Sequence, residues 1–187
     1  MEHVSEKIIC FMLRNEIIQK ENKNVYLFGL MLMWRILVNV LTIFFLGIMF
    51  NMLAESIAFV LSSLLIRTYS GGYHADNPIS CYFISVSATI SMLFSIKFKI
   101  WNIYLAVILV IFSISIITKY APVENKNKPL EKIERKIYRK RLLAIIYGLM
   151  FINFILISLN FLSIFFSISF TFGLSAVMIL FCYSKNL

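Results

Sequence analysis

A chain of 187 residues that is 60% hydrophobic and only 14% charged, with a mean hydropathy of +0.87, cannot bury that much apolar surface in a water-soluble domain. The composition therefore excludes a soluble globular protein and indicates one integral membrane domain, for which lipid is the solvent. The net charge of +9 is expected to reflect membrane topology, so we predict no nucleic-acid partner.

Residues 1–24 are predicted to form an amphipathic helix that lies on the membrane surface. Apolar residues recur here at helical spacing while basic residues can occupy the other faces, as shown by Ile8, Ile9, Met12, Leu13 and Ile17 against Lys7, Arg14, Lys20 and Lys23. A short frayed leader is the alternative. Because the segment contains acidic residues and ends in no small-residue cleavage site, we expect no signal peptide.

Six apolar segments follow, and each is predicted to cross the membrane, which requires about 20 residues per crossing. Asn51 and Asn160 mark two of the turns between them. The second segment is the shortest, so a re-entrant hairpin is its alternative. The predicted fold class is an all-α polytopic membrane protein, with the interfacial helix followed by about six spans, at 25–50, 52–66, 79–96, 101–118, 142–159 and 161–183.

Basic residues predict the orientation, because they are enriched on the cytoplasmic side of membrane proteins. With the N-terminus inside, the cytoplasmic side holds the bases of residues 1–24, Arg67, nine bases between residues 119 and 141, and Lys185. The external side holds only Lys97 and Lys99. We therefore expect a multi-pass protein of the cell membrane with both termini and the loops 67–78 and 119–141 in the cytoplasm.

The loop 67–78 and the start of the next span carry candidate catalytic chemistry. His74 and Cys81 flank Pro78, which is tolerated in the first turn of a helix that would carry the cysteine. A thiol near the start of a helix, with an imidazole folded back over it, is how a thiolate nucleophile is made. The alternatives are an inert buried cysteine and a surface histidine.

Three further residues of this loop are candidate supporting groups. Gly71 and Gly72 let the backbone turn and approach another group closely, and their amides could donate hydrogen bonds to an oxyanion. Asp76 is a candidate third catalytic residue, although Asp-Asn-Pro is also typical turn chemistry.

In Arg67, Gly72, His74 and Cys81, at the spacing R-x4-G-x-H-x6-C, the chain resembles the AgrB family, the membrane-embedded cysteine endopeptidases of Gram-positive quorum sensing. The resemblance extends over nearly the whole chain, through the amphipathic start, Arg35 in the first span, Tyr120-Ala121-Pro122, Lys128-Pro129 and the two final spans. Arg67 is taken as a supporting residue on this basis.

The activity of the AgrB family is the activity that we expect for this chain. The resemblance implies that Cys81 and His74 form a catalytic dyad and that the substrate is an AgrD-like propeptide. The enzyme would cut the propeptide on the C-terminal side of its future ring and release a cyclic thiolactone or lactone. The resemblance also implies a homodimer in the membrane of a Gram-positive bacterium.

Five bases crowd together just before the fifth span: Arg135, Lys136, Arg139, Lys140 and Arg141. One interpretation is an anchor to anionic lipid headgroups. The other, favoured by the resemblance because AgrD-like propeptides end in acidic segments, is a docking surface for the acidic tail of the substrate.

Neither a cofactor nor a metal is expected. Cys10, Cys81 and Cys182 are scattered and odd in number, and neither they nor the two histidines show metal-ligand spacing. The alternative function is a transporter or exporter of a small peptide, which would explain polar residues inside the spans, namely Arg35, Asn39 and Glu55.

Overall fold

Helices account for nearly all of the residues that the computed structural model describes, which are 2–15, 17–19, 22–71, 78–123 and 132–185. These ranges contain seven helices and no strand, and they confirm the predicted all-α fold class. The helices are α1 (Glu2–Arg14), α2 (Lys23–Met49), α3 (Leu53–Ser70), α4 (Pro78–Lys97), α5 (Ile103–Tyr120), α6 (Lys132–Ser158) and α7 (Leu162–Lys185).

Helices α2 to α7 are long and apolar enough to cross a membrane, which makes six candidate spans among the described residues. A re-entrant hairpin was the alternative prediction for the second apolar segment, but this segment forms one helix of 18 residues, α3. At 1.5 Å per residue this helix is about 27 Å long, close to the thickness of a hydrocarbon core of about 30 Å. Length and composition therefore allow α3 to span.

Two helices extend beyond the apolar segments from which they were predicted. Helix α6 begins at Lys132 rather than at residue 142, and α3 continues to Ser70 rather than ending at 66. Residues 132–141 contain neither Gly nor Pro and are rich in Lys, Arg and Glu, which have high helix propensity. The hydropathy is low before residue 142, but the tendency to form a helix is high on both sides of it. The basic run consequently forms the first turns of α6.

The three short connections between helices have the same geometry. After α2, α4 and α6 the chain turns through a residue with positive φ: Asn51 (56°), Lys99 (53°) and Asn160 (63°). In each turn this residue donates its N–H three residues back and the next residue donates five residues back, as in the bonds from Met52 to Gly47 (2.8 Å), from Ile100 to Ser95 (3.1 Å) and from Phe161 to Leu156 (2.9 Å). These are Schellman turns, which satisfy the last carbonyls of a helix.

The chain separates into two compact units, Met1–Thr42 and Ile43–Leu187. In the second unit α7 is the central helix, because it packs against α3, α4, α5 and α6. Half of its apolar span (50%) is buried, against 17–28% for the spans of those four helices.

Small polar residues allow α3 and α7 to pack closely. Ser62 and Thr171 share a hydrogen bond of 3.0 Å between their hydroxyl oxygens. The Ser167 hydroxyl donates to the Glu55 carbonyl oxygen at 2.7 Å. In lipid, small residues permit close approach of helices, and hydroxyl hydrogen bonds hold them together. The parallel pairing of α3 and α7 is set in this way.

The second unit therefore has two ends with different connections. We call the end formed by residues 50–53, 97–103 and 158–163 the turn end, where Phe50 packs against Phe94 and Trp101 against Phe166. The other end, where α3, α5 and α7 stop and α4 and α6 start, is called the loop end. Its aromatic pairs between helices include Tyr69–Tyr138 and Tyr120–Tyr183.

Candidate functional site

The predicted site residues that the structure describes all lie at the loop end. Arg67 and Gly71 are at the end of α3, Cys81 is in the first turns of α4, and the five bases are in the first turns of α6. Gly72, His74 and Asp76 lie outside the described residues. The pairing of His74 with Cys81, and the roles of Gly72 and Asp76, stay predictions.

Cys81 is half-buried and lies on the inner face of α4. The same helical stripe continues through Ser85 to Ala88 and Met92, which are buried in the apolar core. The Cys81 carbonyl accepts a hydrogen bond of 3.1 Å from the Ser85 hydroxyl. Because the start of a helix carries partial positive charge, this position favours a negatively charged group more than the middle of the span would. Helix α4 begins at Pro78, which needs no N–H partner there.

The three cysteines occupy different environments. Cys10 is exposed on α1, Cys182 is buried in α7, and Cys81 alone combines partial exposure with a position near the start of a helix. A nucleophile must be reachable by its substrate and yet shielded from bulk water, so Cys81 is the cysteine whose position suits a catalytic thiol.

Arg67 is half-buried in the last turn of α3, where a cation interacts favourably with the helix dipole. One of its contacts runs to α7, since its Nη2 lies 3.7 Å from the sulfur of Met178. The side chain is thus held between α3 and α7 rather than extended into the surroundings.

Gly71 joins the end of α3 to the segment after α5. It has a φ of +68° and forms an isolated bridge with Val123, whose N–H donates to the Ser70 carbonyl at 3.0 Å. A Cβ at Gly71 would collide with the Val123 carbonyl oxygen, so both the backbone conformation and the space require glycine. Ala121 and Pro122, which lead into this bridge, are buried. The candidate loop therefore starts at a fixed junction.

Two of the five bases contact other helices at the loop end. Arg139 donates from Nη2 to the Thr118 carbonyl at 3.3 Å, in the last turn of α5. The Arg141 guanidinium lies 5.8 Å from the centre of the Tyr69 ring, which also packs against Tyr138 at 5.8 Å. All five bases remain exposed, so they present positive charge while their helix is fixed to the bundle: Arg135, Lys136, Arg139, Lys140 and Arg141.

Of the four tyrosines that pair at the loop end, Tyr120 was noted in the sequence only as part of Tyr120-Ala121-Pro122, and the other three were not singled out. Tyr69, Tyr120, Tyr138 and Tyr183 connect α3 with α6 and α5 with α7 at the level where the apolar spans end. Their positions at the ends of apolar segments are typical of aromatic residues at membrane interfaces, and this signal could have identified them. Within the described part of the chain, no group of three His, Cys, Asp or Glu side chains could hold a metal ion.

The fold and these positions define the class of protein, a multi-pass helical membrane protein with a half-buried thiol at one end of a bundle of apolar helices. Residues 5–181 match the model of the family Accessory gene regulator B, and the chain belongs to this family. The resemblance seen in the sequence is thereby confirmed.

Relatives with this name occur in clostridia and staphylococci. An AgrB-like protein of Clostridium perfringens strain SM101 is 25% identical over 123 residues, which cover 62% of this chain and 58% of that protein. AgrB-like protein 2 of strain 13 is 26% identical over 144 residues, 73% and 67% of the two chains. Accessory gene regulator protein B of Staphylococcus aureus strain Newman is 37% identical over 90 residues, 48% and 46%.

The match thus spans less than two thirds of the first of these relatives. No solved structure matches the chain.

Proposed function

We propose that this chain is a membrane-embedded cysteine endopeptidase that cleaves an AgrD-like propeptide and cyclises the product. The observation that carries the proposal is the position of Cys81. It ends the motif R-x4-G-x-H-x6-C, is half-buried on the inner face of α4, and lies at the end of the bundle that also presents the basic turns of α6.

In the proposed reaction His74 removes the proton from the Cys81 thiol, because an ordinary thiol is mostly protonated at neutral pH. The thiolate attacks the scissile carbonyl. When the peptide C–N bond breaks, the imidazolium gives its proton to the leaving amine. The products of this step are the released C-terminal tail and an acyl-enzyme thioester on Cys81.

Cyclisation follows if a side chain of the substrate attacks the thioester before water does. A substrate thiol exchanges one thioester for another and frees Cys81, which yields a thiolactone, while a substrate hydroxyl yields a lactone. Exclusion of water favours both over hydrolysis. The inner-face position of Cys81, on the stripe that leads to buried Ala88 and Met92, supports such exclusion.

The basic turns of α6 are proposed to bind the acidic tail of the substrate. Arg139 and Arg141 tie the helix to α5 and α3, and Arg135, Lys136 and Lys140 add exposed charge beside them. Tail binding at this surface would hold the scissile bond near Cys81, and positioning of this kind converts a weak encounter into an oriented attack. An acidic peptide fits a surface of this charge.

We further propose that the loop end faces the cytoplasm and the turn end faces outward, since bases are concentrated at the loop end. The catalytic dyad would then lie between the end of α3 and the first turns of α4, and Arg67, Gly71, Gly72 and Asp76 would support it. An AgrD-related partner is implied by the family, and a homodimer is the proposed assembly.

The deciding experiment compares the three cysteines. The chain is co-expressed with an AgrD-like propeptide, and the released tail and the cyclic product are measured by mass spectrometry in Cys81→Ala, Cys10→Ala and Cys182→Ala. We expect no cleavage by Cys81→Ala at normal membrane levels and near-normal cleavage by the other two. A transporter would still export the peptide without Cys81. Robust cleavage by Cys81→Ala would refute the proposed mechanism.

A further inference from the structure

A cavity of about 590 Å³ lies at the turn end, far along the bundle from the candidate catalytic site. It lies where the connection between α4 and α5 meets the start of α7. Its apolar lining includes Ile96, Ile103, Leu162 and Phe166, and its other lining residues are Lys99, Asn102, Ser163 and the aromatic Trp101 and Tyr104. The cavity is therefore mainly apolar, with Lys99 as the cation among its lining residues.

One wall of the cavity is fixed by Trp101. The indole Nε1 donates a hydrogen bond of 2.8 Å to the Ser95 hydroxyl. Its ring stacks on Phe166 at a centroid distance of 6.4 Å and meets Phe170 edge-on at 6.3 Å. Because the ring is held on both its polar and its apolar side, this wall exists before any ligand binds.

Lys99 is unusual in its backbone as well as in its position. Its φ of 53° is left-handed, a conformation that Asn51 and Asn160 occupy in the two equivalent turns. Asparagine tolerates this conformation better than lysine does, so a lysine here carries a modest conformational cost. Residues held in such conformations are frequent at ligand-binding sites.

The Lys99 ammonium is exposed, and among the described residues it forms no ion pair and no hydrogen bond. The neighbouring Lys97 differs, since its ammonium lies 5.2 Å from the centre of the Phe50 ring. Lys97 is also absent from the lining of the cavity. Lys99 is therefore the cation that the turn end offers to a ligand in this cavity.

The surroundings favour an amphipathic ligand. The connection after α4 exposes Phe98 and Ile100, and Tyr104 in the first turn of α5, which also lines the cavity, has 80% of its surface accessible. Trp and Tyr beside the end of apolar spans mark the level of lipid headgroups. The starts of α5 and α7 also reach the cavity, and the partial positive charge of a helix start reinforces attraction to an anion.

We propose that this cavity binds an anionic phospholipid, with the phosphate headgroup against Lys99 and an acyl chain along the apolar lining. A lysine near an anionic lipid surface contributes about 1 kcal/mol, which corresponds to a preference of about fivefold over a zwitterionic lipid of the same chain length. The site is independent of the proposed peptidase activity.

The cavity contains its own reporter, because the chain has two tryptophans and Trp101 lines the cavity. Trp34→Phe leaves Trp101 as the single emitter. This protein is reconstituted in vesicles of phosphatidylcholine, in which rising fractions of dibrominated phosphatidylglycerol or dibrominated phosphatidylcholine replace the unlabelled lipid. Both leaflets have the same composition, so the result does not depend on orientation. We expect quenching of Trp101 to reach half its maximum at a fraction of dibrominated phosphatidylglycerol about fivefold lower than the fraction of dibrominated phosphatidylcholine that is needed.

Two matched variants separate the cavity from general surface charge. Lys99→Asn should abolish the preference and retain the fold, because asparagine already occupies the two equivalent turns. Lys97→Asn should keep the preference. Equal quenching by both lipids in the parent protein would overturn the proposal. An equal loss of the preference for the anionic lipid in Lys99→Asn and Lys97→Asn would do the same. So would relief of quenching by inorganic phosphate or an acidic peptide at constant lipid composition, which would point to a free anion or a peptide ligand.

Discussion

The two ends of the bundle differ in how their helices are connected. At the turn end, three Schellman turns of one geometry connect α2 with α3, α4 with α5 and α6 with α7. At the loop end, the described connections run between segments distant in the chain, as in the bridge of Gly71 with Val123. The short turns satisfy the last carbonyls of their helices, whereas the long-range contacts at the loop end hold charged side chains, as in Arg139 with the Thr118 carbonyl.

The difference is also chemical. The turn end has Lys97 and Lys99 as its bases, one beside an aromatic ring and the other lining a cavity. The loop end has Arg67 beside Met178 and the basic turns of α6 fixed by Arg139 and Arg141. The loop end thus has the long connections and the charged side chains held against other helices, and the turn end has the cavity. Three experiments test whether the two ends have the different roles proposed for them.

The largest effect is expected for Gly71→Ala at the loop end. Its Cβ would collide with the Val123 carbonyl oxygen, and its φ of +68° is unfavourable for alanine. We expect cleavage of the propeptide to fall more than tenfold, because the backbone at the start of the candidate loop or at Val123 must shift.

The matched control is Gly148→Ala in α6, where a Cβ meets nothing within 4 Å and alanine is a better helix former. Cleavage by this variant should be unchanged. If Gly71→Ala cleaves at the parental rate, the junction has no part in arranging the site.

A smaller effect is expected when the basic turns of α6 lose charge. The triple variant Arg135→Gln, Lys136→Gln and Lys140→Gln keeps a helix-forming side chain at each position. Exposed charge contacts contribute about 1 kcal/mol or less each, so together they should raise the half-saturating concentration of an acidic-tailed substrate about tenfold. The maximal rate should change little, because the thiol is untouched.

The control for this second test comes from the other end of the molecule. Lys97→Gln combined with Lys99→Gln removes charge at the turn end and should leave the half-saturating concentration unchanged. A rise in salt should weaken binding in the parent and have less effect in the triple variant. If the parent and the triple variant have the same half-saturating concentration of the acidic-tailed substrate, the tail binds elsewhere.

Much of the fold could be predicted from the sequence, because apolar segments of spanning length dominate it. The turns at Asn51 and Asn160 were also predicted, since asparagine there interrupts apolar runs. The predicted span began at residue 142, whereas α6 begins at Lys132, because hydropathy reports contact with lipid and not helix formation.

The candidate site could be predicted only in part, because the sequence shows local spacing but not contacts between distant segments. The spacing from Arg67 to Cys81 is local and therefore visible in the sequence. The partner of Gly71 is not, because Val123 lies beyond two further spans and no pattern in the sequence links the two. The left-handed conformation of Lys99 was likewise missed, since lysine is not a residue that signals such a turn.

The smallest effect is expected for a reciprocal exchange of Lys99 and Asn160, which is also the sharpest test of the turn end. Lys99→Asn should raise stability and Asn160→Lys should lower it, each by up to about 1 kcal/mol, because asparagine tolerates the left-handed conformation better than lysine does. The two turns share the same hydrogen bonds, so the exchange compares the residues in one backbone geometry. The measurement is the thermal unfolding midpoint in zwitterionic lipid, where Lys99 has no anionic headgroup to bind. If anionic lipid is then added, the proposed cavity site requires the parent to gain stability that Lys99→Asn does not gain. A Lys99→Asn protein that is less stable than the parent in zwitterionic lipid would show that Lys99 serves the turn itself, and the conformational argument for a ligand would fail.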